Sequence, residues 1–429
     1  MSLVKNLIVV VGQPNSLFPN QLASYWRAQG RDAVIVSRFW DGPNFLDSGT
    51  PVLRSFEAES FLFRKMLVLL SLFLKILEKL LFFFHRERVE TIFRKHHYRP
   101  FPPNFSNLIV DGISIARFVR SLKPSFVFGQ EVFSYGVATA LCWGYPRFLM
   151  PWGGDVYFFC DLSWPLHALT RFALNRAHGV YPTSTSAAKH IHLKFDVPEN
   201  RIFSVSWGID PKVFHPLSFP ERERVRKKWG ISFSAFVVLN VRQFHPAWGS
   251  ETALMACLEY SKKNLKARFI FFCGKGNEEE IHQAMFLTKK YGKTDQFIFL
   301  ERGVSLEDFQ ELCGISDVFL SLMRIPDMRS FSILQASACG SLPILGDQAE
   351  YREMEKLGFR ALFVDPEKPA STVQALEWLE KSPEPSRDIL GSNVVYLKQH
   401  EDRSQQLEIL THHIEETLLS FKPESFWNA

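Results

Sequence analysis

The sequence predicts an α/β protein built from two parallel-sheet domains. Three observations lead there. Short runs of β-branched and aromatic residues recur along the chain, stretches with helical spacing separate them, and the whole alternation appears twice. Strands that alternate with helices indicate a parallel sheet covered on both faces. Between the two series lies a passage with Pro211, Pro216 and Pro220, which reads as a linker.

In the first series the strand candidates are Leu7–Val11, Ala33–Val36, Phe126–Phe128, Arg147–Met150 and Gly179–Tyr181. In the second they are Phe236–Asn240, Arg268–Cys273, Phe297–Leu300, Val318–Leu320 and Leu342–Leu345. A boundary near Leu217 gives a first domain over residues 1–216 and a second over 217–400. Residues 401–429 hold a terminal helix, because Leu407, Leu410, Ile414, Leu418 and Phe421 fall at helical spacing. That helix fits against either domain.

Composition sets further bounds. The chain has 429 residues, 46% hydrophobic and 22% charged, an ordinary balance for a protein with a large core. A formal net charge of +5 is small for this length, and no basic stripe interleaves with aromatics, so nucleic acid is not an expected partner. The six cysteines form no C-x-x-C pair and suggest neither a zinc site nor a disulfide framework. They read as buried thiols in a reducing compartment. His190 and His192 are two apart and share no helix face, so they make no metal pair. The apolar run Leu7–Val11 is too short for the core of an export signal and reads as the first strand, which implies a cytoplasmic protein.

One segment, 61–95, stands apart. Met66–Phe84 is apolar except for Ser71, Lys75, Glu78 and Lys79, whose spacing gathers them into one helical stripe. Basic residues flank it: Arg64, Lys65, Arg86, Arg88, Arg94 and Lys95. Three charges in its C-terminal half, at roughly 2.5–3.5 kcal/mol each near a bilayer centre, argue against a membrane span. Two readings stay open: an amphipathic helix lying on a membrane surface, and a helix buried against the first domain or between subunits.

The stretch Ser321–Asp347 carries the most chemistry. A strand leads into a loop holding Asp327, and a helix then starts near Phe331, with Ser330 or Ser332 placed to cap it. The amides of Phe331, Ser332 and Ile333 at such a helix start, with the positive end of its dipole, suit a diphosphate. Gln335 lies one turn in, on the side of Ser332, and Gly340 ends the helix.

These residues resemble the signature of the family 4 retaining glycosyltransferases, enzymes of the GT-B fold with two Rossmann-like domains facing a cleft. The signature is an acidic residue, seven residues, Glu, then Ala-x-Ala-Cys-Gly. Here it reads Asp327, seven residues, Gln335, then Ala336-Ser337-Ala338-Cys339-Gly340, followed by Pro343, Asp347 and Glu353. Four further elements agree in order. Trp152–Asp155 (WGGD) is similar to the first domain's Trp-Gly-Ser-Asp element. Tyr181–Pro216, with Trp207-Gly208-Ile209-Asp210 and then Phe214 and Pro216, is similar to the interdomain passage. Arg242–Gly249 (RQFHPAWG) resembles a donor-side loop, with Arg242, Phe244, Pro246 and Trp248 following one branch of the family. Cys273–Gly276 (CGKG) resembles the Gly-x-Gly turn of the second domain.

The resemblance covers roughly residues 120–365 and implies a function: transfer of a sugar, with retained configuration, from a nucleotide-sugar to a glycan or lipid-linked acceptor. It implies donor contacts from Arg242, Gly274, Asp327, Phe331, Ser332, Ile333 and Gln335, and an acceptor side formed by Gln130, Trp152 and Asp155. Asp327, Arg242 and Asp155 are the catalytic candidates. No metal or other cofactor is expected, since Arg242 and the helix start stand in for a divalent ion.

Each residue also has a plain structural alternative. Arg242 suits a surface ion pair, Asp327 a loop cap, Gln335 a helix interior and Asp155 a helix cap. Three departures from the family pattern matter. Gln335 replaces a Glu that accepts ribose hydroxyls. Gly12-Gln13-Pro14-Asn15 replaces a Gly-Gly turn after the first strand, and Gln130 stands where many members have a cleft His. Gln335 and the missing His favour one alternative, a non-catalytic scaffold in a glycan assembly complex; the other alternative is a nucleotide-sugar epimerase, whose acidic motifs on both sides of the sugar the chain does not show.

Overall fold

The computed structural model describes residues 7–14, 16–38, 49–95, 105–242, 244, 248–273, 278–301, 304–325, 328 and 330–421, without the side chains of 17, 81–95, 383 and 385. The chain forms two compact units. One comprises Met1–Arg94, Arg99–Ser206 and Leu407–Ala429; the body of the other is Trp207–Gln406.

The first unit contains β1 (Leu7–Val11), α1 (Leu17–Ala28), β2 (Asp32–Ser37), β3 (Val52–Arg54), α2 (Phe61–Lys95), α3 (Phe105–Leu122), β4 (Phe126–Gln130), α4 (Ser134–Ala140), β5 (Arg147–Met150), α5 (Gly154–Tyr157), α6 (Trp164–Arg176), β6 (Gly179–Val180) and α7 (Thr185–Phe195). The second contains α8 (Phe219–Lys228), β7 (Val237–Asn240), α9 (Ser250–Lys263), β8 (Arg268–Phe272), α10 (Glu278–Lys290), β9 (Phe297–Leu300), α11 (Leu306–Ile315), β10 (Val318–Ser321), α12 (Phe331–Ala338), β11 (Leu342–Gly346), α13 (Ala349–Lys356), β12 (Leu362–Val364), α14 (Pro369–Lys381) and α15 (Pro383–His400). The last helix, α16 (Arg403–Ser420), starts in the second unit and runs into the first.

Each unit holds one six-stranded sheet, ordered β3-β2-β1-β4-β5-β6 and β12-β11-β10-β7-β8-β9, with all pairs parallel. Read from its own first strand, the second sheet repeats the order of the first. The strand order therefore reverses between β1 and β4, and again between β7 and β10. Open α/β sheets bind ligands outside the carboxyl ends of their strands at such points.

Alternate residues of one strand serve opposite cores, as a period of two requires. In the second unit Val238, Phe269, Phe271, Val318, Leu320 and Ile344 enter one buried cluster. Val237, Leu239, Ile270, Phe319 and Leu345 enter the other. Burial on both faces explains why these strands read as unbroken apolar runs. In the first unit Val9, Val11, Val36 and Val127 meet Ile115, Ala116 and Val119 of α3. Trp26 of α1 packs edge-on against Phe126 and Phe128, with ring centroids 5.3 and 5.9 Å away.

The change of unit falls at Ser206/Trp207, ahead of the boundary expected at Leu217. Ile209 and Phe214 belong to a buried core of the second unit, which draws the segment after Ser206 into it. Gly208 turns there with φ +67°, and a Cβ on it would sit 2.7 Å from the Arg403 amide nitrogen. The terminal helix α16 docks on the first unit. The Trp26 indole donates to the Thr411 hydroxyl at 3.0 Å, Arg31 pairs with Glu415, and His413 stacks on Phe203 at 4.5 Å.

The polar stripe expected on α2 divides in two. Glu78 is buried and Ser71 half-buried toward the body of the unit, while Lys75 and Lys79 are exposed. Among the described residues no helix is long and apolar enough to cross a membrane.

Candidate active site

On the second unit the site begins where β7 ends. Asn240 is buried, and its side-chain carbonyl accepts the Arg242 amide at 3.1 Å, which turns the chain and frees the Arg242 side chain to cross toward β10. There Arg242 Nη2 donates to Ser330 Oγ at 2.6 Å, and Nε lies 3.4 Å from Ser321 Oγ. Its guanidinium carbon stands 5.9 Å from the Trp248 ring centroid. Ser321 closes β10 and Ser330 immediately precedes α12, so one guanidinium links the ends of the two strands that flank the reversal of order.

Ser330 occupies the cap position of α12, yet its hydroxyl does not cap the helix. It accepts from Arg242 and lies 3.1 Å from the Ser332 hydroxyl. The expectation that a serine side chain caps this helix is thus corrected for Ser330: the stronger charge-assisted bond claims the oxygen. Phe331 and Ser332 remain half-exposed on the first turn, Ile333 is buried, and Gln335 is 4% exposed one turn in.

A glycine brings the two loops together. Gly249 has φ +66°, and a Cβ there would meet the Leu322 carbonyl carbon at 2.8 Å. Both the left-handed backbone and the close approach exclude other residues. Arg324 then ties the same strand exit to α9 through Thr252 at 2.6 Å. Asp327 and Gly274, both expected at the donor site, lie outside the described residues, as do Pro246 and Gly276 of the same motifs.

The first unit presents its own cluster at the carboxyl ends of β4 and β5. Gln130 is fully buried, and neither polar atom of its side-chain amide has a hydrogen-bond partner among the described residues. The Trp152 indole nitrogen is likewise unpartnered. Buried polar groups left unpaired cost about 1–3 kcal/mol, so two at a strand exit call for an explanation.

Asp155 is 5% exposed and accepts the amides of Val132 at 2.9 Å, Gly153 at 2.8 Å and Trp152 at 3.1 Å. Burial raises its pKa, against the lowering by those amides. Its carboxylate ties the loop after β4 to the loop after β5 and so fixes where Gln130 and Trp152 stand. Glu131, next to Gln130, has the left-handed φ of 71° that is uncommon in a side-chain-bearing residue. Its carboxyl accepts the Tyr135 amide at 3.0 Å, and burial, with Asp155 close by, pushes its pKa up to about 8.

The sequence-named residues therefore gather in two places: Arg242, Phe331, Ser332, Ile333 and Gln335 on the second unit, and Gln130, Trp152 and Asp155 on the first. Ser321, Ser330 and Glu131 complete these sets and were not named as site residues. Ser330 was legible only as a helix cap, Ser321 at a strand end carries no spacing signal, and a backbone φ leaves none either.

Residues 221–394, less than half of the chain, match the model of the family described as "Glycosyl transferases group 1". No curated protein matches the sequence. Among solved structures, Anabaena HepE in complex with UDP and glucose matches with a TM-score of 0.70 at 14% identity, over 97% of this chain and 100% of that one. Sucrose-phosphate synthase from Thermosynechococcus elongatus gives 0.70 at 12% identity, over 97% and 100%. The α,α-trehalose 6-phosphate synthase from Burkholderia multivorans gives 0.65 at 11%, again over 97% and 100%. Their likeness is one of fold: two parallel six-stranded sheets of the GT-B kind. Residues 221–394 thus match a group 1 glycosyl transferase domain, and the chain that carries it has the GT-B fold.

Proposed function

We propose that the chain moves a sugar from a nucleotide-sugar donor to a glycan or lipid-linked acceptor with retention of anomeric configuration, in the synthesis of a cell-surface polysaccharide or glycolipid. The second unit binds the donor and the first the acceptor. The observation that carries this reading is the Arg242–Ser330 contact at the start of α12, where β7 and β10 reverse the strand order. A planar guanidinium matches the geometry of phosphate oxygens, and the positive end of a helix faces the same charge. HepE was solved with UDP-glucose, which favours a uridine nucleotide here as well.

In this mechanism the bond between the anomeric carbon and the diphosphate oxygen breaks while the acceptor hydroxyl bonds to the same face of that carbon. The hydroxyl proton passes to the departing diphosphate. Arg242 and the α12 start stabilise the charge that develops there, an effect that commonly dominates such catalysis. Gln335 takes the ribose hydroxyls and Asp327 the sugar. No step is assigned to a metal. Gln130 and Trp152 offer their unpaired groups to the acceptor, and Asp155 positions them. A lipid-linked acceptor would place the enzyme on the cytoplasmic face of a membrane as a peripheral protein.

The test is calorimetric titration of the full chain with a panel of nucleotides and nucleotide-sugars, followed by product analysis by NMR. We expect binding of UDP and one UDP-sugar, and an acceptor glycoside of unchanged anomeric configuration. Absence of any nucleotide binding would make the chain a scaffold. Conversion of the donor sugar without transfer would make it an epimerase.

A further inference from the structure

α2 is inserted between β3 and α3, and its packing leaves an unusual surface. Phe63, Leu67, Leu74 and Glu78 are buried, and their spacing of four, seven and four forms one stripe against the unit. Two contacts set the rotation of the helix about its axis. Glu78 accepts the Ser106 hydroxyl at 2.9 Å at the start of α3, and the Arg117 guanidinium of α3 lies 4.0 Å from the Phe63 ring centroid. With that stripe turned inward, the opposite side faces outward. Leu62, Met66, Leu69, Phe73, Ile76 and Leu80 lie there, with Leu69, Phe73 and Ile76 at 68%, 64% and 62% exposure. Residues 61–80 rise about 30 Å at 1.5 Å each, so the apolar strip is far longer than an isolated surface leucine would make it.

Charge identifies what covers it. Lys65, Lys75 and Lys79 are exposed and fall together along one edge of the strip. Over 61–80 the sequence has a single carboxylate, Glu78, and that one is buried beneath Ser106. The outward side thus offers apolar side chains and cations with no anion. A second copy of the same face would bring more lysines and no counter-charge. A bilayer with anionic headgroups supplies both what the apolar strip and what the lysines lack.

We infer that the outward face of α2 is a docking surface for an anionic membrane, with the helix lying in the plane of the interface, its apolar strip in the acyl boundary and the three lysines at the headgroups. The inner stripe acts as an orientation lock, since Glu78 and Phe63 hold the strip outward before any lipid is met. The inference does not rest on the sugar-transfer reading.

The experiment is co-sedimentation of the full chain with phosphatidylcholine vesicles, with and without phosphatidylglycerol, at low and high salt. Nucleotide binding of the same samples is measured in parallel. Wild-type protein should bind anionic vesicles, more weakly at high salt, and neutral vesicles poorly. L69S/F73S/I76S should lose at least tenfold in vesicle affinity while keeping its melting temperature, because all three side chains are solvent-exposed. K65Q/K75Q/K79Q should lose roughly fivefold per lysine on anionic vesicles, about a hundredfold in all, and little on neutral ones. Three results would overturn the inference: no wild-type binding at any ionic strength, vesicle binding untouched by either variant, or a dimer in solution that the serine variant alone converts to monomer. Nucleotide binding that persists in those cases would leave the sugar-transfer reading intact.

Discussion

Arg242→Ala is the sharpest probe of the donor site. In the structure the guanidinium is held 2.6 Å from Ser330 Oγ, with Ser321 Oγ 3.4 Å from Nε, so it is oriented before a donor arrives. Hydrogen bonds to charged groups contribute about 1.5–3 kcal/mol each. Removing one such contact to a diphosphate should therefore weaken UDP and UDP-sugar binding roughly tenfold to 150-fold. Uridine, which lacks the phosphates, should bind the variant and the wild type alike. Ser330→Ala keeps the cation but loses its anchor, so its effect should be smaller. The double variant should be no worse than Arg242→Ala alone, since the serine acts through the arginine; contacting residues show such non-additivity at the level of about 0.5–3 kcal/mol. Calorimetry gives the affinities, and thermal melting checks that both variants remain folded. A folded Arg242→Ala protein that binds UDP with wild-type affinity would refute the placement of the diphosphate.

Other consequences follow from the same geometry. Gly249→Ala should lower both the melting temperature and the donor affinity, because its φ of +66° and its contact with Leu322 leave no room for a Cβ; unchanged values for both would show that the close approach does not shape the site. Gln335→Glu should keep or raise nucleotide affinity by restoring an acceptor for two ribose hydroxyls, and a clear fall measured by calorimetry would remove Gln335 from the ribose role. Glu131 makes a prediction about pH. With its pKa raised from 4.5 to about 8 in the folded state, the folded form holds a proton that the unfolded form has released between those values. Stability must then fall as pH rises through that window and level off above it. Glu131→Gln should flatten the fall, so that its melting temperature matches wild type near pH 5 and exceeds it at pH 9. Parallel melting curves for the two proteins across that range would show that Glu131 titrates normally.

The sequence by itself determined most of the scaffold. Leu7–Val11 and Arg147–Met150 are strands with the expected bounds and are buried almost throughout, as strands covered on both faces are; Phe297–Leu300 also keeps its bounds, at the edge of its sheet and mostly half-buried. The edge strands β3 and β12 escaped notice. Each has only three residues and is mostly half-buried, so neither run nor alternation marks it. The helix start at Phe331 and the Arg242 loop were legible because Gly, Pro and Ser punctuate them and a family signature runs through them. Tertiary structure alone decided the rest. It gave Ser330 to Arg242 instead of to the helix end, left the Gln130 amide unpaired, placed Glu131 in the left-handed region and laid α16 on Trp26. It also chose which side of α2 faces outward. Periodicity fixes which residues share a face of that helix. The buried Glu78 and Ser106 at the start of α3 settle which face is turned inward, and they lie far apart in the sequence. Sequence spacing reaches only along a single element, whereas these pairings join residues that only the folded chain brings within hydrogen-bond distance.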